Sequence, residues 1–393
     1  MKHTLKPLKN FVLFFCAVVL LSCKKTDNVS PTSSTISARE ALPGFQLVGN
    51  FAYSYSPAAA SGLQGPDFSN SNTVFYFNAA FNSSVTWAIT INDITSGAIK
   101  TLTGSSQIIN QANATWDGSH DGLLFFNAGD DVTATLSILG SNTIYASAFT
   151  INTAKVPQTS ALVGNTIILD GMNDMTAIYG AKSWPSWVAG VGGAYPNNPP
   201  DNVYGGQVIP TAGFALTGAL ANFKPIEGSG SFRLFGQDDD FGYFICGIKR
   251  QTNWFIGQGE SPATPKVENF PASPQDLYIN VYVYGTGDLI SQLNLTVEED
   301  DNGDHHNNPL NEDIYQYTLL TSHTGWKLFT IPYSDFVVAA SPQNGGNGNH
   351  RQETKLITAF GFNLNSSPPG QTCQVIFDLP SLSVGNPFNP SQF

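Results

Sequence analysis

The chain has 393 residues, 41% hydrophobic and 12% aromatic, enough apolar surface for two or three packed domains, which excludes wholesale disorder. With 37 Gly and 24 Pro against 12% charged residues, the composition favours strands and turns over helices. A formal charge of −12 makes the body of the chain a poor match to nucleic acid or anionic lipid.

The opening MKHTLKPLKN carries Lys2, Lys6 and Lys9, and the apolar run after it, FVLFFCAVVLL, is 11 residues long, short of a bilayer span. Residues 1–22 therefore read as a signal peptide, and its removal takes those three lysines and leaves a charge near −15. The LLSC that ends this stretch resembles the bacterial lipobox. The resemblance implies that Cys23 is lipidated, becomes the first mature residue and tethers the protein to the cell envelope, each buried acyl methylene contributing ~0.8 kcal/mol. Lys24 and Lys25 are compatible with onward transport to an outer membrane. Residues 23–44, rich in Ser, Thr and Pro, read as a flexible leash, and no later segment is apolar for 18 residues.

From 45 to 155 short alternating runs are split by turn residues. In VTWAITI, residues Val85, Trp87, Ile89 and Ile91 share one face at the period of a half-buried strand. Several such strands predict a sandwich. The stretch around Trp116, Asp117, Gly118, Gly122 and Gly129 resembles the Ig-like domains related to flagellar hook-capping proteins, which implies a spacer. Residues 156–164 read as a joint.

From 165 to 388 strand-like runs continue without helical period, predicting a larger jelly-roll sandwich. In LYINVYVY one side is Leu277, Ile279, Val281 and Val283, and the other is Tyr278, Asn280, Tyr282 and Tyr284. In LNLTVE the sides are Leu293, Leu295 and Val297 against Asn294, Thr296 and Glu298. The aliphatic sets predict the interior. Rings, carboxamides and a carboxylate on the other face suit a sugar, whose C–H faces take rings and whose hydroxyls take hydrogen bonds. The competing reading is that a loop covers the tyrosines.

Three loops carry the remaining chemistry. Trp184 and Trp187 flank a proline in a Gly- and Asn-rich segment, with Trp254 further on; they read either as stacking platforms or as anchors for the loop. Asp238, Asp239 and Asp240 form a turn that is a solvated tip or hydrogen-bonds sugar hydroxyls. The acidic run VEEDDNGDHHNNPLNEDIY (297–315) starts like a calcium loop at Asp300, Asn302 and Asp304, but His305 replaces the required glycine and Asn311 the terminal Glu. A solvated loop is the expectation there, with Glu298 the member nearest a ligand. Cys246 and Cys373, the remaining cysteines of the body, leave a disulfide or two buried thiols open.

The end of the chain, GWKLFTIPYSDF (325–336) and LITAFGFNLNSSPPGQTCQVIFDLPSLSVG (356–385), resembles the closing strands of galactose-binding-like jelly rolls in carbohydrate-binding modules. With the lipobox and the Ig-like stretch, the whole is similar to surface glycan-binding lipoproteins of Bacteroidota-type polysaccharide-utilisation systems. That likeness implies a non-catalytic binder of polysaccharide or oligosaccharide, facing outward from an outer membrane beside an importer, without nucleic acid as partner. It also implies a structural calcium near Asp170 and Asp378; the plain alternative is that these two cap turns.

Two readings from other classes stand beside it. A glycoside hydrolase or lyase needs two flanking carboxylates, for which Glu298, Glu299, Asp238 and Asp240 are available. A structural or adhesive lipoprotein needs only the tether and aromatic patches. No G-x-S-x-G, HExxH, P-loop or dinucleotide fingerprint occurs.

Overall fold

The computed structural model describes residues 45–56, 65–69, 73–94, 96–157, 162–172, 187–191, 205–210, 220, 223–228, 230–237, 246–251, 273–303, 312–339, 348–368 and 371–393. Their regular elements are strands and short 3-10 turns, so the chain is all-β. Among the described residues no helix is long and apolar enough to cross a membrane.

The first sheet is built on one long strand. β2 (Val74–Asp93) pairs through its first half with β1 (Ala52–Ser56) and β4 (Thr115–Trp116). Its second half pairs with β5 (Asp131–Ile138), which in turn pairs with β6 (Ile144–Thr150). β3 (Ile99–Ile109) runs along both halves, with a register break between Ala80 and Val85 where the strand bends. The predicted alternation holds: Val85, Trp87, Ile89 and Ile91 are buried, packed with Phe75, Phe77, Trp116, Leu136 and Phe149. Gly104 has no room for a side chain, because an added Cβ would sit 2.3 Å from the Trp87 ring.

Residues beyond 162 form two further sheets. In one, β10 (Gly205–Pro210), β11 (Gly230–Gln237), β19 (Thr372–Val384), β13 (Leu277–Thr286) and β16 (Thr324–Pro332) lie side by side, with β7 (Leu162–Val163) and β8 (Thr166–Ile168) added at β19. In the other the order is β17 (Val337–Val338), β15 (Ile314–Leu320), β14 (Ser291–Glu299), β18 (Ile357–Ser366), β12 (Cys246–Gln251) and β9 (Trp187–Val191). Every pairing is antiparallel in both.

Side chains of the two inner faces interdigitate, as the period-2 pattern of β13 and β14 predicts. Val281, Val283, Leu293, Leu295 and Val297 are buried together with Phe232, Phe362 and Phe377. The last two rings stack with centroids 5.1 Å apart and planes 13° apart.

The sheet containing β13 is covered on its outer side as well. A second apolar cluster, formed by Ile168, Ile226, Tyr282, Leu379, Phe388 and Phe393, takes in Phe125 from the loop before β5. The first sheet's loop thus packs on the back of the second sandwich.

Candidate functional site

That junction leaves a cleft of about 770 Å³. One wall is the first sheet's loops, with Ile94, Ser96, Leu124 and Phe125; the other is Tyr284 on β13, Thr324–Trp326 on β16 and residues 223–226. The rings on the second wall follow from strand register. Tyr284 pairs with Trp326 across the ladder, so both side chains stand on one face. Their centroids are 5.4 Å apart and their planes cross at 76°, with Phe223 5.1 Å from Tyr284 and 5.8 Å from Trp326. The Trp326 indole N–H donates to the Lys224 carbonyl at 2.7 Å, which fixes the ring's tilt. Ile94 at the rim is 73% exposed.

Charge enters the cleft on Lys224, whose ammonium lies 3.8 Å from buried Asp130. Asp130 also accepts the Asn127 N–H, and its acid is pushed up to about 7, chiefly by burial and then by Asp93 nearby. The fold therefore holds this proton more tightly than the unfolded chain does. The stabilisation it brings is complete below about pH 4 and is lost as pH rises through 7, a difference of about 2–4 kcal/mol. Asp130→Asn is expected to flatten that slope relative to the parent and to raise the melting temperature at pH 8, as thermal melts at pH 5 and pH 8 would register.

The arrangement offers apolar ring faces, aliphatic edges, one ammonium and the Ser96 and Thr324 hydroxyls. It is suited to stacking and hydrogen bonding of a polar ring-shaped ligand.

The sequence-derived site residues fare unequally. Tyr284 lines the cleft, half-buried, and Tyr278 is also half-buried. Tyr282 and Asn280 are corrected: both are fully buried. The Tyr282 hydroxyl donates to the Leu123 carbonyl at 2.7 Å, and the Asn280 amide donates to Ser383 Oγ at 3.1 Å. Tyr282 is covered because the first sheet's loop and the segment ending at Phe393 pack on it, and Asn280 is engaged by Ser381 and Ser383 of β19. Glu298 is corrected too: it is buried, only 7% exposed. Trp187 enters as the first residue of β9, opposite Arg250. Cys23, Trp184, Asp239 and Trp254 lie outside the described residues.

Sequence reasoning missed Trp326, Phe223 and Lys224 as site residues. Tyr284 and Trp326 lie 42 residues apart on strands that are not consecutive, so no local pattern in the sequence announces their pairing. It also missed β15, and with it the burial of the acidic run. Glu299, Asp300, Glu312 and Asp313 are each no more than 4% exposed, so the expected solvated loop is instead folded into the sandwich end on both its flanks. Burial pushes the Glu299 acid up to about 8.

Asp170 and Asp378 are both buried, with Glu227 beside them. Asp378 accepts from the Ser231 hydroxyl and the Leu379 N–H, Asp170 from the Met172 N–H. Burial, reinforced by Glu227, pushes the Asp378 acid well above the usual range. This all-oxygen, anionic set has the chemistry a hard cation takes, and capping of the local backbone accounts for some of its bonds. Among the described residues no three His, Cys, Asp or Glu side chains converge as a complete ligand set.

No protein-family model matches the chain, and no curated protein matches it. Solved structures do. A family 11 carbohydrate-binding module of the cellulosomal cellulase Lic26A-Cel5E of Clostridium thermocellum aligns at 12% identity and TM-score 0.34, over 57% of this chain and 96% of its own. The family 11 module from Clostridium thermocellum in complex with a beta-1,3-1,4-mixed-linked tetrasaccharide aligns at 12% identity, with TM-score 0.34, over 56% and 96%. The CBM22-1-CBM22-2 tandem of Paenibacillus barcinonensis Xyn10C aligns at 9% identity with TM-score 0.27, over 87% and 93%. With scores of this size, the functional reading rests on the site.

Proposed function

We propose that the protein binds glycans without catalysis, taking polysaccharide or oligosaccharide into the cleft between the first sheet and the outer face of the second sandwich. The observation that carries this is the crossed pair Tyr284 and Trp326, with Phe223 behind them, opening to solvent between two apolar walls. Rings of this kind stack on the C–H face of a sugar while Ser96, Thr324 and Lys224 meet its hydroxyls. Trp184, Trp187, Trp254 and Asp239 remain candidates for extending that surface.

Within this reading Cys23 carries the lipid, residues 23–44 are the leash, and the Ig-like first part lifts the binding surface from an outer membrane towards its substrate. An importer or a partner enzyme would receive the glycan. Asp170 and Asp378, with backbone carbonyls completing the shell, would hold a structural calcium that contributes stability and no chemistry.

Affinity electrophoresis of the purified protein in gels containing plant or microbial glycans tests the proposal. Retardation by at least one glycan is expected. Unretarded migration across a broad panel would refute it.

A further inference from the structure

Arg233 stands on the same sheet face as the cleft rings and, among the described residues, has no counter-ion. Arg233, Ile376, Tyr284 and Trp326 are successive register partners across β11, β19, β13 and β16. Their side chains therefore stand in one row, with Arg233 two strand spacings, roughly 10 Å, from Tyr284. Leu220 and Phe223 pack on Ile376 between them.

The guanidinium is propped by a ring rather than paired with an acid. Its central carbon lies 4.8 Å over Phe235, two residues further along β11. Nε is enclosed without a hydrogen-bond partner, whereas neither terminal amino group is so enclosed, and the residue as a whole is half-buried. Burial lowers its pKa, and no carboxylate acts in the other direction. Lys100, Lys155 and Lys224, by contrast, face acids at 2.8, 2.8 and 3.8 Å. Asp378, diagonal to Arg233 in the ladder, is fully buried and engaged by Ser231 and the Leu379 N–H, and the guanidinium leans away from it over Phe235.

Gln374, the register partner of Phe235, adds a second polar group at this spot, and its side-chain carbonyl oxygen is also enclosed without a donor. A desolvated cation without an anion costs free energy that single hydrogen bonds to neutral hydroxyls do not recover. A carboxylate does better, because the planar fork meets both of its oxygens at once and its charge is neutralised.

We propose that Arg233, backed by Phe235, binds the carboxylate of a uronic acid residue, so that the glycan taken by this face is an acidic one. The proposal rests on the glycan-binding reading above and narrows its substrate class. A chain stacked on Tyr284 and Trp326 would reach Arg233 along one row of the sheet, past Leu220 and Phe223. With a net charge of −12 the protein repels a polyanion from a distance, so recognition here is short-range and calls for a short acidic oligosaccharide as the probe.

The test is calorimetric titration of the full chain with galacturonate and mannuronate trimers and with their methyl esters, which keep rings and hydroxyls but carry no charge. At least one acid is expected to bind roughly 10-fold more tightly than its ester. Arg233→Gln is expected to abolish that preference, bringing the acid's affinity down to the ester's, with a melting temperature at or above the parent's. Arg233→Lys keeps a charge without the fork and should retain only part of the preference. Equal affinity for acid and ester in the parent, or an undiminished preference in Arg233→Gln, would overturn the assignment. So would tighter binding of a sulfated galactan trimer, which carries no carboxylate. Ester bound as tightly as acid leaves the cleft standing, whereas acid binding that needs Arg233 and survives Trp326→Ala removes the cleft and keeps Arg233. No binding of any trimer overturns the acidic class alone, because retardation by neutral glycans tests the cleft separately.

Discussion

Trp326→Ala is expected to weaken glycan binding by roughly 10- to 100-fold, the equivalent of about 1–3 kcal/mol for one stacking ring at the centre of a small site. Trp326 lines the cleft, and its indole N–H is already spent on the Lys224 carbonyl, so the ring offers its face rather than a donor. The same change removes contacts with Phe223 and Tyr284 and is expected to cost stability as well. Trp326→Phe separates the two effects. It keeps an aromatic face and loses the hydrogen bond to Lys224, so binding should fall less than stability predicts. Gel retardation and chemical denaturation on the same preparations would read both. Full glycan retention in a folded Trp326→Ala protein would exclude the cleft as the binding site.

Tyr282→Ala is expected to destabilise the protein by about 3–5 kcal/mol, the range for emptying a buried aromatic site. Its ring packs 6.2 Å from Phe125 and 6.3 Å from Phe388, and its hydroxyl is the direct bond to the Leu123 carbonyl. Tyr282→Phe keeps the packing and leaves that carbonyl without its donor, a loss of about 1–3 kcal/mol. Because Leu124 and Phe125 line the cleft, both variants should also loosen it. Denaturation midpoints give the stability, and faster proteolysis within residues 118–129 would report the loosened loop. A Tyr282→Ala protein as stable as the parent would mean that the first sheet and the sandwich are held together elsewhere.

The strands whose side chains alternate were readable from the chain. Leu277, Ile279, Val281 and Val283 point inward as their spacing predicts, and so do Leu293, Leu295 and Val297. What lies over the opposite face was not readable. The group that caps Tyr282 comes from a loop 159 residues earlier, and no local pattern records so distant a contact. Hence the face was correctly drawn while its middle, Asn280 and Tyr282, was wrongly taken as open. Tyr284, at the edge, stays on the surface.

The acidic run was misjudged for a related reason. Its charge suggested solvent, whereas the two strands that bracket it, ending at Glu299 and beginning at Ile314, pair side by side and draw its flanks inward. Polarity signals exposure only where the backbone on either side is not committed to a sheet.

The position of β19 has a consequence for how the protein is made. This strand pairs with β8, β11 and β13, and residues 373–383 are almost all buried. Yet in sequence it follows all three of these partners. The second sandwich therefore cannot close before β19 is made, and a nascent chain lacking residues 372–384 has three sheet neighbours waiting on an absent centre. Closure of this sheet is therefore a non-local step, and it waits on the strand that comes last in sequence among those four.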